Sequence, residues 1–115
     1  VTIKHPDGYD ISYLHMWPED VIVSVGDDVT AGQQIGVTGN SGPSGGCHLD
    51  LRINVAGNTN AQLDTLVLSQ AEGAPGVYAN FVNPEAFYAL YGMELCGGAG
   101  ACNRPPIDGT ELPIR

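Results

Sequence analysis

His48 and Asp50 stand two residues apart, directly behind a glycine-rich run that begins at Gly36. A histidine and a carboxylate at that spacing can ligate a metal ion or relay protons. Side chains alternate across an extended chain, so the stretch ending at Val55 sorts into two rows. Cys47, Leu49, Leu51, Ile53 and Val55 form the apolar row; His48, Asp50, Arg52 and Asn54 form the polar one. The same pattern also describes a half-buried strand whose polar face is merely solvated. Residue types and spacing leave both readings open.

Those side chains need a scaffold, and composition bounds it. The chain has 115 residues, enough for one small domain with one core. Its formal charge of −9 disfavours a nucleic-acid backbone or an anionic membrane surface as partner. Lys4, Arg52, Arg104 and Arg115 are the basic residues, and they form no cluster. No apolar run is long enough to span a bilayer. Val1-Thr2-Ile3-Lys4 reads as the start of a strand, not as a charged leader, which predicts that the chain begins inside a domain. Glycine and proline make up about a fifth of the residues, and alternating apolar segments lie between them, so a turn-rich β domain is expected over disorder.

In chain order, Val1–His5 and Tyr9–Met16 read as strands around a Pro6-Asp7-Gly8 turn, together a β-hairpin. In the second strand Tyr9, Ile11, Tyr13 and His15 share one row. Trp17–Asp20 breaks the pattern. Extended runs are expected again at Val21–Val25 and Gln34–Thr38, followed by a loop over Gly39–Gly46 and a strand over Cys47–Val55. The signal weakens from Ala61 to Val82; Leu63, Leu66, Val67 and Leu68 fit a helical turn or a strand. Asn83-Pro84-Glu85 then predicts a helix over 84–91, with Asn83 as cap, Pro84 in the first turn and Gly92 as stop. Cys96 and Cys102 bracket a short glycine-rich loop and are expected to form a disulfide, which suits an extracytoplasmic location. Zinc is the rival reading for that pair, but it lacks a second pair of ligands. Cys47, on the apolar row, is expected to be a buried thiol or to have a partner outside the chain.

Three segments carry a resemblance: VTIKHPDGYDISYLHM (1–16), VSVGDDVTAGQQIGVTGNSG (23–42) and SGGCHLDLRI (44–53). In this order and spacing they closely resemble the β-sheet core of the lysostaphin/LytM-type zinc endopeptidases, which cut peptide cross-bridges in bacterial cell walls. The resemblance implies an all-β fold, an antiparallel sheet or sandwich with a groove for the substrate peptide, here with one short C-terminal helix. Residues 1–60 would form the core. Residues 61–115 would form an extension, with the helix and the Cys96/Cys102 loop, packed on the same domain.

The family chemistry uses one zinc ion, held by an upstream H-x-x-x-D and by the last histidine of an H-x-H motif. His15 matches the family histidine of Y-x-H, and His48 the first of H-x-H; the resemblance implies that both assist the attacking water and the oxyanion. Asp50 stands where the third zinc ligand is a histidine, and it is the metal-ligand candidate. The upstream pair has no counterpart, and His5 matches a strand position that is not a ligand. Arg52, on the same face as Asp50, can pair with that carboxylate and compete with a metal.

The expectation is therefore a degenerate, non-catalytic member that holds no zinc through this chain alone. It would act outside the cytoplasm, in the cell envelope or extracellularly, on a cell-wall peptide or a protein partner. An open sheet edge is expected near Val1, where a second chain can complete the sheet. The alternative is an active zinc endopeptidase whose first two ligands come from a segment absent from this chain. A biotinyl- or lipoyl-carrier domain shares the V-G-D-x-V rhythm, but needs a lysine at a hairpin tip, and the one lysine is Lys4.

Overall fold

The computed structural model describes residues 1–66 and 80–97. Four strands form one antiparallel sheet in the order β1 (Thr2–Lys4), β2 (Asp10–Leu14), β3 (Asp50–Asn54) and β4 (Phe81–Val82). Two short helices, α1 (Ala61–Asp64) and α2 (Pro84–Leu90), accompany it. The antiparallel sheet and the helix after Asn83 agree with the sequence reading. Among the described residues no helix is long and apolar enough to cross a membrane.

Register builds the core. Ile3 pairs with Ile11, Ile11 with Ile53, and Ile53 with Val82, so one apolar row runs across all four strands. Ile53 and Val82 are fully buried, and Tyr9, Val55, Leu63 and Phe87 complete the core. The next residues along each strand face the other way. They include Ser12, Arg52 and the pair Leu14–Asp50. One face of the sheet is thus given to packing, and the other carries the charged residues.

The helices cover the apolar face. α2 begins where the Asn83 side chain accepts the Glu85 N–H, with Pro84 supplying a preset φ. It ends at Gly92, whose φ of 76° lets the last turn close back on Ala89. Phe87 meets the edge of the Tyr9 ring at 5.2 Å. The Tyr88 phenol of α2 interacts with Tyr13 of β2, and Tyr91, just past α2, interacts with Tyr9, just before β2. α1 is capped by Asn60, which accepts the Gln62 N–H, and it buries Leu63 completely. Core residues therefore come from both sides of residue 60.

Several elements differ from the sequence reading. Val21–Val25 and Gln34–Thr38 run side by side but share one backbone bond, Ile22 N–H to the Ile35 carbonyl, and form no strand. Ile22, Val25 and Val37 stay exposed, so no packing rewards a longer ladder there. The expected strand from Cys47 begins only at Asp50; before it, His48 makes an isolated bridge with Gly39. As a result Cys47 is exposed and free rather than buried, its thiol near the Thr38 carbonyl. β4 carries no sequence signal because it is two residues long. The expected Cys96–Cys102 pairing involves Cys102, which lies outside the described residues, as do Val67 and Leu68.

The β1–β2 hairpin turns where the Gly8 N–H reaches the His5 carbonyl, with Gly8 at φ 95°. Its tip is tied to the loop after β3, where the Thr59 N–H and hydroxyl both donate to the Asp7 carbonyl. A Cβ on Gly8 would run into the Gly57 carbonyl. Gly8→Ala combines that collision with left-handed strain and is expected to cost about 2–3 kcal/mol in urea unfolding. Leu63→Ala is expected to cost about 2–5 kcal/mol through the cavity it leaves.

Burial pushes the Tyr88 phenol up to about 12, reinforced by its interaction with Tyr13, and burial also raises Tyr9. The folded chain then holds protons that the unfolded chain releases near pH 10. This contribution to stability is full below about pH 10 and is lost as pH rises through about 12. Urea titrations across that window, with Tyr88→Phe as control, measure it.

Candidate functional site

The site forms at the polar end of the β2–β3 pair, where Leu14 lies opposite Asp50. Had β2 continued in extended form, His15 would have followed the Tyr13 row onto the packed face. Instead His15 adopts φ 68°, a left-handed conformation costly for a residue with a side chain. The turn places its imidazole on the Asp50 side, with Nε2 3.7 Å from the Asp50 carboxylate. His48 is already on that side, because it shares the alternation of Asp50. The two imidazole rings are 4.7 Å apart, tilted by 47°.

Ser41 holds the strained residue with every polar group it has. Its N–H donates to the His15 carbonyl at 3.0 Å. Its carbonyl accepts Nδ1–H of His15 at 2.8 Å. Its hydroxyl donates to the Met16 carbonyl at 2.6 Å. A carbonyl can only accept, so His15 carries a proton on Nδ1. The opposite nitrogen, Nε2, is buried and makes no hydrogen bond. His48 is fixed in the same sense by its own loop, with Nδ1–H donated to the Gly46 carbonyl at 2.6 Å. The Ser44 hydroxyl donates to that same carbonyl, so the 3.3 Å approach of Ser44 to His48 is not a nucleophile–base pair.

Asp50 is clasped by its strand neighbour. Arg52 donates Nε–H to one carboxylate oxygen at 3.2 Å and an Nη2 hydrogen to the other at 2.8 Å. Both side chains are largely buried, 15% and 22% exposed, so this two-pronged contact is poorly screened. The structure thus brings His15, His48, Asp50 and Arg52 together. His5 lies apart from them, stacked on Tyr9 at 4.3 Å and beside Asp7.

A zinc centre needs three protein donors converging on one point. Here the carboxylate donor has both oxygens engaged by a guanidinium, whose charge opposes a dication. Among the described residues no group of three histidine, cysteine, aspartate or glutamate side chains is placed to hold a metal ion. Among the described residues, then, Asp50 is the candidate ligand, and it is held by Arg52.

Gly39 and Trp17 belong to the same site and carried no signal of it in the sequence. Gly39 bridges His48, and a Cβ there would come within 2.6 Å of the His15 carbonyl oxygen and 3.1 Å of the Trp17 ring. Ser41 was equally silent, since its partners lie 25 and 26 residues away.

A family model described as peptidase family M23 matches residues 1–64, the span that contains β1, β2, β3 and the site loop. No solved structure matches the chain.

Gly39→Ala is expected to displace His15 or Trp17 and to destabilise the fold by about 1–3 kcal/mol. Imidazole and indole NMR resonances that stay in place in this variant would contradict the packing described. Ser41→Ala removes one hydrogen bond of three, for about 1 kcal/mol, and leaves the Nδ1–H tautomer of His15 intact by nitrogen NMR.

Proposed function

The chain belongs to peptidase family M23, and from that membership we propose that it is a LytM-like domain that binds a peptide without hydrolysing it. Its ligand is a cell-wall peptide or an extended segment of a protein partner, and its place is outside the cytoplasm. The observation that carries this reading is the Arg52 clasp on Asp50. By the family resemblance Asp50 stands at the third zinc ligand, and a carboxylate already paired at both oxygens is a poor donor to a cation. Freeing it would leave a guanidinium beside the metal, at a cost of several kcal/mol for a largely buried pair.

What the site retains is hydrogen-bonding capacity. His48, with Nδ1–H committed to its loop, offers Nε2 as an acceptor for a peptide N–H. His15 is locked behind it by Ser41 and sets the position of the pair. β1 is an edge of the sheet among the described residues, and a second chain adding a strand there is part of the same reading.

Metal analysis tests the proposal. After dialysis against equimolar zinc at neutral pH, the unmodified chain is expected to retain far less than one ion per molecule. Asp50→His combined with Arg52→Gln is expected to raise zinc retention, because it supplies an imidazole and removes the competing cation. Tight one-to-one binding by the unmodified chain, or release of cross-bridge peptides from purified cell walls, would instead establish the zinc endopeptidase reading.

A further inference from the structure

Trp17 is the one tryptophan of the chain, and it follows His15 by two residues. It is 44% exposed, although its ring touches the position a Gly39 side chain would occupy. Paired residues in an antiparallel bridge project to the same face. Gly39 is bridged to His48, so the indole lies on the His48 face, in the space left by the missing side chain. Burying more of the ring would have been the ordinary outcome for a large apolar group. Here it is held against Gly39 with almost half its surface open.

Acidic residues follow it in the chain. Glu19 and Asp20 follow directly in the 3-10 turn Pro18–Asp20, and the chain carries a net charge of −9. The two basic side chains among the described residues already face carboxylates, Lys4 at Asp10 and Arg52 at Asp50. An aromatic face in a negative field attracts a cation, and a cation within about 6 Å of the ring centroid gains from the ring quadrupole.

We infer that Trp17 is a specificity-determining platform that takes a cationic side chain, lysine or arginine, of a peptide laid across the His15–His48 site. The inference rests on the peptide-binding reading above and narrows its ligand to basic peptides. The acidic turn draws the charge in, the indole face stacks on it, and His48 takes the backbone.

The sole tryptophan makes the test direct. The full chain is titrated with the peptide acetyl-Gly-Lys-Gly-amide and with its Nε-acetyl-lysine counterpart, following indole emission and the imidazole NMR resonances together. The lysine peptide is expected to change emission saturably and to bind about threefold to tenfold more tightly than the acetylated one. That preference is expected to shrink in high salt. Trp17→Phe keeps an aromatic face and is expected to retain part of the preference by NMR. Trp17→Leu is expected to erase it. Equal affinity for both peptides overturns the inference, as does an emission change produced by chitotriose and not by the lysine peptide. Imidazole resonances that move while the indole stays silent remove the Trp17 platform and leave the peptide groove standing. Silence of both probes to either peptide removes the groove and the platform with it.

Discussion

Pairing of Ile11 with Ile53 sets the register of β2 against β3, and the core and the site both hang on it. The same register that buries Ile53 completely puts Leu14 opposite Asp50 and Ser12 opposite Arg52. A slip of one residue would turn the apolar row toward the loop 39–48 and the charged row under α2. The cost would be large on both faces, since buried isoleucine would be wetted and a paired carboxylate stripped of water. Strand β3 is therefore fixed twice, by what it buries and by what it exposes.

Onto that fixed frame the chain adds one local strain. His15 leaves β2 in a left-handed conformation, and three hydrogen bonds from Ser41 keep it there. Left-handed backbone at a non-glycine residue is worth about 1–3 kcal/mol against the fold. It persists because the clamp, the neighbouring His48 ring and the Gly39 contact over-determine it. The same clamp sets which nitrogen of the imidazole carries the proton. Position and protonation pattern thus come from one loop residue far away in the chain.

The Arg52–Asp50 clasp has a comparable economy. Both residues lie on one strand, two apart and on one face, so little chain entropy is lost in bringing them together. A local pair of this kind persists without support from distant elements. A metal centre, in contrast, needs donors from several segments held to a common point. On the polar face of β3 the Asp50 and Arg52 charges are satisfied within the strand.

Much of this was legible in the residues. The alternation from Leu49 to Val55, the Asn83-Pro84 start and Gly92 stop of α2, and the common face of His48, Asp50 and Arg52 follow from local rules of period, capping and reach. They need only neighbours within a few residues. What the sequence left open depends on distant partners. Alternation alone assigns His15 to the packed row; the Ser41 clamp reverses that assignment. Cys47 reads as buried until the strand begins three residues later, at Asp50. Trp17 against Gly39, and a two-residue β4 that gains its hydrogen bonds from β3, have no local signature at all. Period and capping act over a turn or a strand, whereas the face a side chain finally takes is decided by whichever distant group satisfies its backbone.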